Sequence, residues 1–235
     1  MFSLMKCYII TFYYLTKARL KEPVDVGWNI LAPSVYFLFM MNGGYGAPEA
    51  FLMTMAFYIF QSSYFGVACY YVGFRDEGYL RTFGRTPSSR MSIAISLVMA
   101  NALFSLLVIM LLYFMFMFIQ KQNDAVAVVS LAKVFQVLMI SVLCSPMCLW
   151  MSIFSIKSRT LQQMGSILML LLGSLVHMAH ASVWGWVWNP FLSVAVLIGD
   201  VSDERFFAAL VMMTLVSSLG LLTALNGSVM GERRS

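Results

Sequence analysis

The sequence predicts an all-α polytopic membrane protein with six transmembrane helices, an N-terminal amphipathic helix at the membrane surface and a re-entrant hairpin before the last span. Three observations carry this expectation. Hydrophobic residues make up 61% of the chain and charged residues only 11%, where a soluble domain carries about 25% charged residues. The apolar residues fall into blocks close to the ~20 residues that cross the hydrocarbon. The basic residues divide unevenly between the two sides of the resulting layout. One membrane domain, residues 1–235, accounts for the length.

The elements follow in order. In residues 1–22, Met5, Ile9, Phe12, Leu15 and Leu20 share one side at helical spacing, and Lys6, Lys17 and Lys21 the other. That pattern suits a helix lying flat, with lysines toward anionic headgroups and Tyr8, Tyr13 and Tyr14 at interfacial depth. The basic residues Lys17, Arg19 and Lys21 stand where a cleavable signal would need small neutral ones. Glu22-Pro23 ends the helix. The spans are expected at 26–41 (with Pro33 as a kink), 51–74, 92–119, 134–156, 164–181 and 206–230. GGYGAPEA, residues 43–50, is a tight turn between the first two. Between the last two spans, Trp184, Trp186 and Trp188 suit the outer interface. The apolar run after Asn189-Pro190 is too short to cross, so residues 182–204 read as an outer re-entrant segment.

With six spans both termini share a side. Twelve of the fifteen Lys and Arg residues fall on it, and Lys121, Lys133 and Arg205 fall on the other. The positive-inside rule makes the richer side cytoplasmic, with both termini there and the chain in the cell membrane.

The chemistry is conspicuous for what it omits. The expected spans contain no carboxylate, whereas ion-coupled transporters usually need ionisable groups or broken-helix ion sites at mid-membrane. Asn29, Gln61, Asn101, Gln136 and scattered serines read as interhelical hydrogen-bonding groups. Cys7, Cys69, Cys144 and Cys148 show no paired spacing, and Cys144 and Cys148 share a helix face as soft packing residues. His177 and His180 lack a third ligand nearby. Catalytic, metal-binding and phosphate-loop motifs are missing, so the chain is not expected to be an enzyme or to hold a cofactor. Nothing in it points to nucleic acid.

The one long polar stretch inside the apolar blocks is RDEGYLRTFGRTPSSR, residues 75–90. It cannot lie in lipid and reads as a short helix and turn between the second and third spans. Asp76-Glu77-Gly78-Tyr79-Leu80-Arg81, followed by Thr86-Pro87 and a return to apolar sequence, resembles the cytoplasmic signature of ABC-2 type permeases. These are the membrane subunits of one class of ATP-binding-cassette transporters. The flat N-terminal helix resembles that family's connecting helix. Asn189-Pro190 with its apolar continuation resembles the family's re-entrant Asn-Pro-Leu element. Tyr79 departs from the family pattern, which often has Thr at that place.

The resemblance implies a coupling helix at 75–90 that docks an ATPase through Asp76, Glu77, Gly78, Tyr79, Leu80, Arg81, Phe83 and Arg85. Charged members would set orientation, Leu80 and Phe83 would anchor, and Pro87 would stop the helix before the third span. It also implies two copies of a separate ATPase that carries ATP and Mg, a second permease subunit forming a homodimer, and export of a hydrophobic or amphipathic substrate. The first, second and fifth spans would surround the pathway. Two other readings stand beside it: on the same scaffold, a self-immunity transporter that expels a bacteriocin-like peptide, and, in a different class, a membrane sensor or scaffold that transports nothing.

Overall fold

The computed structural model describes residues 12–13, 16–17, 23–83, 86–122, 131–154, 156–179, 190–199 and 204–226, and these contain helices and short connections but no strand. The expectations for Arg85, the Trp184–Trp188 cluster and most of residues 1–22 lie outside them.

Helix α1 (Pro23–Asn42) is followed by a long rod. The rod comprises α2 (Ala47–Ser63), a π-helical stretch (Tyr64–Cys69) and α3 (Tyr70–Asp76). A five-residue helix, α4 (Tyr79–Phe83), leads to α5 (Pro87–Gln122), then α6 (Leu131–Cys144) and a 3₁₀ stretch (Ser145–Ile153). The chain ends with α7 (Ser158–Ala179), α8 (Pro190–Ile198) and α9 (Glu204–Asn226).

Proline placement explains several of these starts. Five of the six prolines, Pro23, Pro48, Pro87, Pro146 and Pro190, stand in the first turn of a helical element, where the missing N–H costs nothing. Pro87 therefore opens α5 rather than closing the segment before it. Pro33 alone lies inside a helix. The turn after α1 is a Schellman closure: Gly44 has φ +87°, and the amides of Tyr45 and Gly44 bond the carbonyls of Met40 and Met41.

Four helices are long and apolar enough to cross a membrane: Glu49–Asp76, Ser88–Phe118, Ala132–Ile153 and Arg205–Leu225. The rod is the hub, with 78% of its apolar stretch buried against 22% for the last helix. Around the hub, the outer faces are continuous apolar stripes. On α9 the stripe is Phe207, Val211, Leu215, Leu219 and Leu222; on α5 it is Met99, Leu103, Leu107, Leu111, Phe114 and Phe118. Water would not tolerate such a surface and lipid favours it. The chain has the build of a membrane protein.

The core has an apolar body and a polar seam. Phe51, Tyr58, Met55, Ile109, Phe116 and Leu197 are fully enclosed. At the seam, both neighbouring helices depart from α geometry. Pro146 cannot donate, and the chain continues as a nine-residue 3₁₀ helix, long for its kind. The Ser63 hydroxyl lies 2.7 Å from the Cys144 carbonyl and 2.8 Å from that of Ser145. Asn101 donates to the Ser145 hydroxyl over 3.0 Å, which in turn donates to the Ser141 carbonyl over 2.7 Å. Asn101 thus makes the interhelical bond expected of it, as does Gln136, which donates to the Leu197 carbonyl over 2.8 Å. Cys69, Cys144 and Cys148 are buried beside this seam and form no disulfide.

Small residues permit the close approaches. A Cβ on Gly165 would stand 2.2 Å from the Tyr64 ring, and one on Gly220 would stand 2.1 Å from the Pro146 carbonyl oxygen. The second clash is with backbone and cannot be relieved by a rotamer change. Gly220→Ala is expected to lower stability by about 1–3 kcal/mol. Gly27→Ala, with nothing within 4 Å, should be neutral or stabilising by up to about 1 kcal/mol. Thermal unfolding in detergent micelles compares the two.

Candidate functional site

The polar segment at 75–90 caps one end of the bundle, and its residues divide into those bound inward and those left facing out. Arg75 ends the rod. Its guanidinium carries five N–H donors, and all five are used. Nε and Nη2 meet Asp76 Oδ1 at 3.3 and 3.1 Å. Nη1 donates to the carbonyls of Ser152 at 2.9 Å and Phe154 at 2.7 Å, and Nη2 donates to the carbonyl of Ile156. The three acceptors straddle the point where the 3₁₀ helix stops: Ser152 is in its last turn, and Phe154 and Ile156 follow it, Phe154 turning extended with φ −73° and ψ 140°. Asp76 uses its other oxygen, Oδ2, to accept the Ser158 amide at 2.7 Å. Ser158 is the first residue of α7, where a carboxylate complements the helix dipole.

The chain then reverses. Gly78, at φ +76°, donates to the Arg75 carbonyl, and its own carbonyl accepts from Arg81 and Thr82 to start α4. One residue therefore closes one helix and opens the next, in a conformation that side chains resist. Leu80 is buried at 4% exposure and joins a cluster with Tyr71, Ile93, Ala94 and Leu97; Phe12 of the N-terminal stretch packs on that cluster. Tyr79 stacks between Phe74 and Phe83, with ring centroids 5.0 and 4.6 Å apart.

Thr86 closes the segment with a reciprocal cap. Its hydroxyl accepts the Ser89 amide at 3.2 Å, and the Ser89 hydroxyl accepts the Thr86 amide at 3.1 Å. Arg90 is buried and reaches the Leu225 carbonyl at 3.4 Å, while the Tyr71 hydroxyl donates to the Ala224 carbonyl at 2.7 Å. Together they satisfy two of the open C-terminal carbonyls of α9.

The predicted set therefore separates. Glu77, Arg81 and Phe83 face outward, and Phe83 is 61% exposed. Asp76 is committed to Arg75 and Ser158, and Leu80 fastens α4 to the bundle instead of standing free as an anchor for a partner. Lys157 and Arg159 flank Ser158 and are exposed at the same end. The outward face consequently carries Arg81, Lys157 and Arg159 against Glu77, a basic excess.

Arg75, Arg90 and Tyr71 were missed as specific contacts in the sequence. Their sole signal there was a charged or phenolic group at a helix end, and their carbonyl partners lie far along the chain.

Elsewhere, a small apolar crevice lies between α1, α2 and α5, lined by residues including Ser34, Phe37, Phe51 and Met115. Among the described residues no group of three or more His, Cys, Asp or Glu side chains could hold a metal ion. No family model matches the chain, and neither a curated protein nor a solved structure is similar to it.

The positive φ at Gly78 gives a direct test of this turn. Gly78→Ala meets nothing within 4 Å, so its cost is backbone strain alone, about 1–2 kcal/mol. Gly78→Asn should cost less, since Asn tolerates this region better. Denaturation midpoints of the two variants in one detergent should fall in that order.

Proposed function

We propose that the chain is the membrane-spanning permease subunit of an ABC-2 type exporter, driven by a separate ATPase. The observation that carries the reading is the short helix α4. It presents Arg81 and Phe83 outward, with Glu77 exposed just before it, while Leu80 and its neighbours hold it to the bundle. A rigid, charged knob with an aromatic tip is what a cleft in a soluble motor can grip, the aromatic giving affinity and the charges giving register. The basic excess around it favours a partner surface rich in carboxylates.

On this reading the four long apolar helices are joined by α1 and α7 as spans. At 20 and 22 residues they reach about 30 and 33 Å at 1.5 Å per residue, enough for the hydrocarbon core. The nine-residue α8, with Leu192, Val194, Leu197 and Ile198 buried, is the inner arm of a re-entrant element at the outer side. Residues 75–90 and both termini are cytoplasmic, the subunit pairs with a second permease, and the cargo is hydrophobic or amphipathic. ATP and Mg belong to the ATPase.

Double charge reversal, Glu77→Arg with Arg81→Glu, tests the docking role. The tagged parent chain should co-purify with a cassette ATPase whose hydrolysis rises with cargo in proteoliposomes. The double variant, still folded, should lose at least about tenfold of that stimulation, because close charge pairs at an interface are worth about 1.5 kcal/mol or more. Parental stimulation in the variant would remove Glu77 and Arg81 from the interface, and a parent chain that recruits no ATPase would favour a scaffold.

A further inference from the structure

We infer that Arg75 and Asp76 are the transmission between α4 and α7, so that a push on the short helix is delivered to the break at 154–158. The inference rests on the reading that a motor acts on α4.

The bonding pattern is lopsided in a telling way. Arg75 directs all its donors to two things, the carboxylate beside it and three alternating carbonyls, one in the last turn of the 3₁₀ helix and two in the strap that leads into α7. Asp76 spends one oxygen on that arginine and the other on the first amide of α7. The strap and the helix start are therefore tied to the same two residues. The rod holds α7 again one turn further on. There the Tyr64 hydroxyl donates to the Leu161 carbonyl over 2.8 Å, and the Tyr64 ring fills the space that Gly165 leaves. These contacts fix the start of α7 to the rod.

The input side is equally direct. Glu77 and Gly78 alone separate Asp76 from α4. A displacement of α4 bends the chain at the left-handed Gly78 and reaches Asp76 next. The strap is suited to respond, because Phe154 is extended and the 3₁₀ helix before it is a geometry that marks hinges.

Lysine cannot replace Arg75. It has three donors on a point charge, where the site demands a planar fork serving five bonds. A simple staple would tolerate Arg75→Lys with some loss of stability, whereas a transmission would not.

Spin labels at Phe83 and Arg159, in a nanodisc-embedded chain with its native cysteines replaced, report the separation of α4 from the start of α7. We expect one narrow distance distribution in the parent and at least a doubling of its width in Arg75→Lys and Arg75→Gln. Asp76→Asn, which keeps an acceptor but loses the charge, should be intermediate. A control pair at Met99 and Val211 should stay unchanged, showing an intact bundle. In the assembled transporter, Arg75→Lys should bind the ATPase at the parental level yet lose cargo stimulation.

Unchanged distances in the Arg75 variants, or stimulation that persists in Arg75→Lys, would overturn the inference. If the bundle control also shifts in the Arg75 variants, Asp76→Asn decides in the same way. Should the parent recruit no ATPase, the docking reading fails, and the spin-label result alone still decides whether the clamp links α4 to α7.

Discussion

Helices leave carbonyls open at their C-terminal ends, and near a membrane interior water is a poor remedy. This constraint organises the bundle. Arg75 gathers three carbonyls at and just past the end of the 3₁₀ stretch, while Arg90 and Tyr71 take two of those that end α9. Near the other end, Lys133 and Gln136 of α6 donate to Gly199 and Leu197 at the end of α8. Basic side chains that a hydropathy reading counts as topological markers thus act as donors that close particular helix ends. A membrane protein with few charged residues uses several of them on its own backbone, and the few left facing outward stand out.

The interior follows the same economy. At the α2–α6 seam the Ser63 and Ser145 hydroxyls bond carbonyls beside Pro146, and Asn101 bonds the Ser145 hydroxyl, so the irregular helices pack without charge. Gly220 lets its backbone meet that of Pro146, and Gly165 makes room for the Tyr64 ring. The result is a rod, α2 to α3, to which most other elements are fastened. The polar knob α4 sits at its tip.

Much of this was legible in the sequence. Apolar blocks near twenty residues located α2, α5, α6 and α9, and the polar run located the turn at 77–78. Asn101 and Gln136 bridge helices as their isolation in apolar sequence implied. Boundaries moved because Pro87, read as a stop, is a start. The segment 134–156 reads as one helix because its hydropathy does not register that Pro146 turns it into a 3₁₀ helix. Within the candidate site Glu77, Arg81 and Phe83 face outward, while Asp76 is bonded to Arg75 and Ser158 and Leu80 is buried against the bundle. That division was out of reach for a physical reason. Asp76 pairs with an amide 82 residues away, and Arg90 with a carbonyl 135 residues away. Local pattern carries no trace of such contacts.

The account stands on the polar tip facing the cytoplasm and being gripped there. A single cysteine at Thr82, in a chain whose own cysteines are replaced, measures both with a membrane-impermeant maleimide. The account predicts no labelling in intact cells, rapid labelling in inside-out vesicles stripped of peripheral proteins, and protection when the ATPase is restored. Labelling from outside intact cells would contradict it.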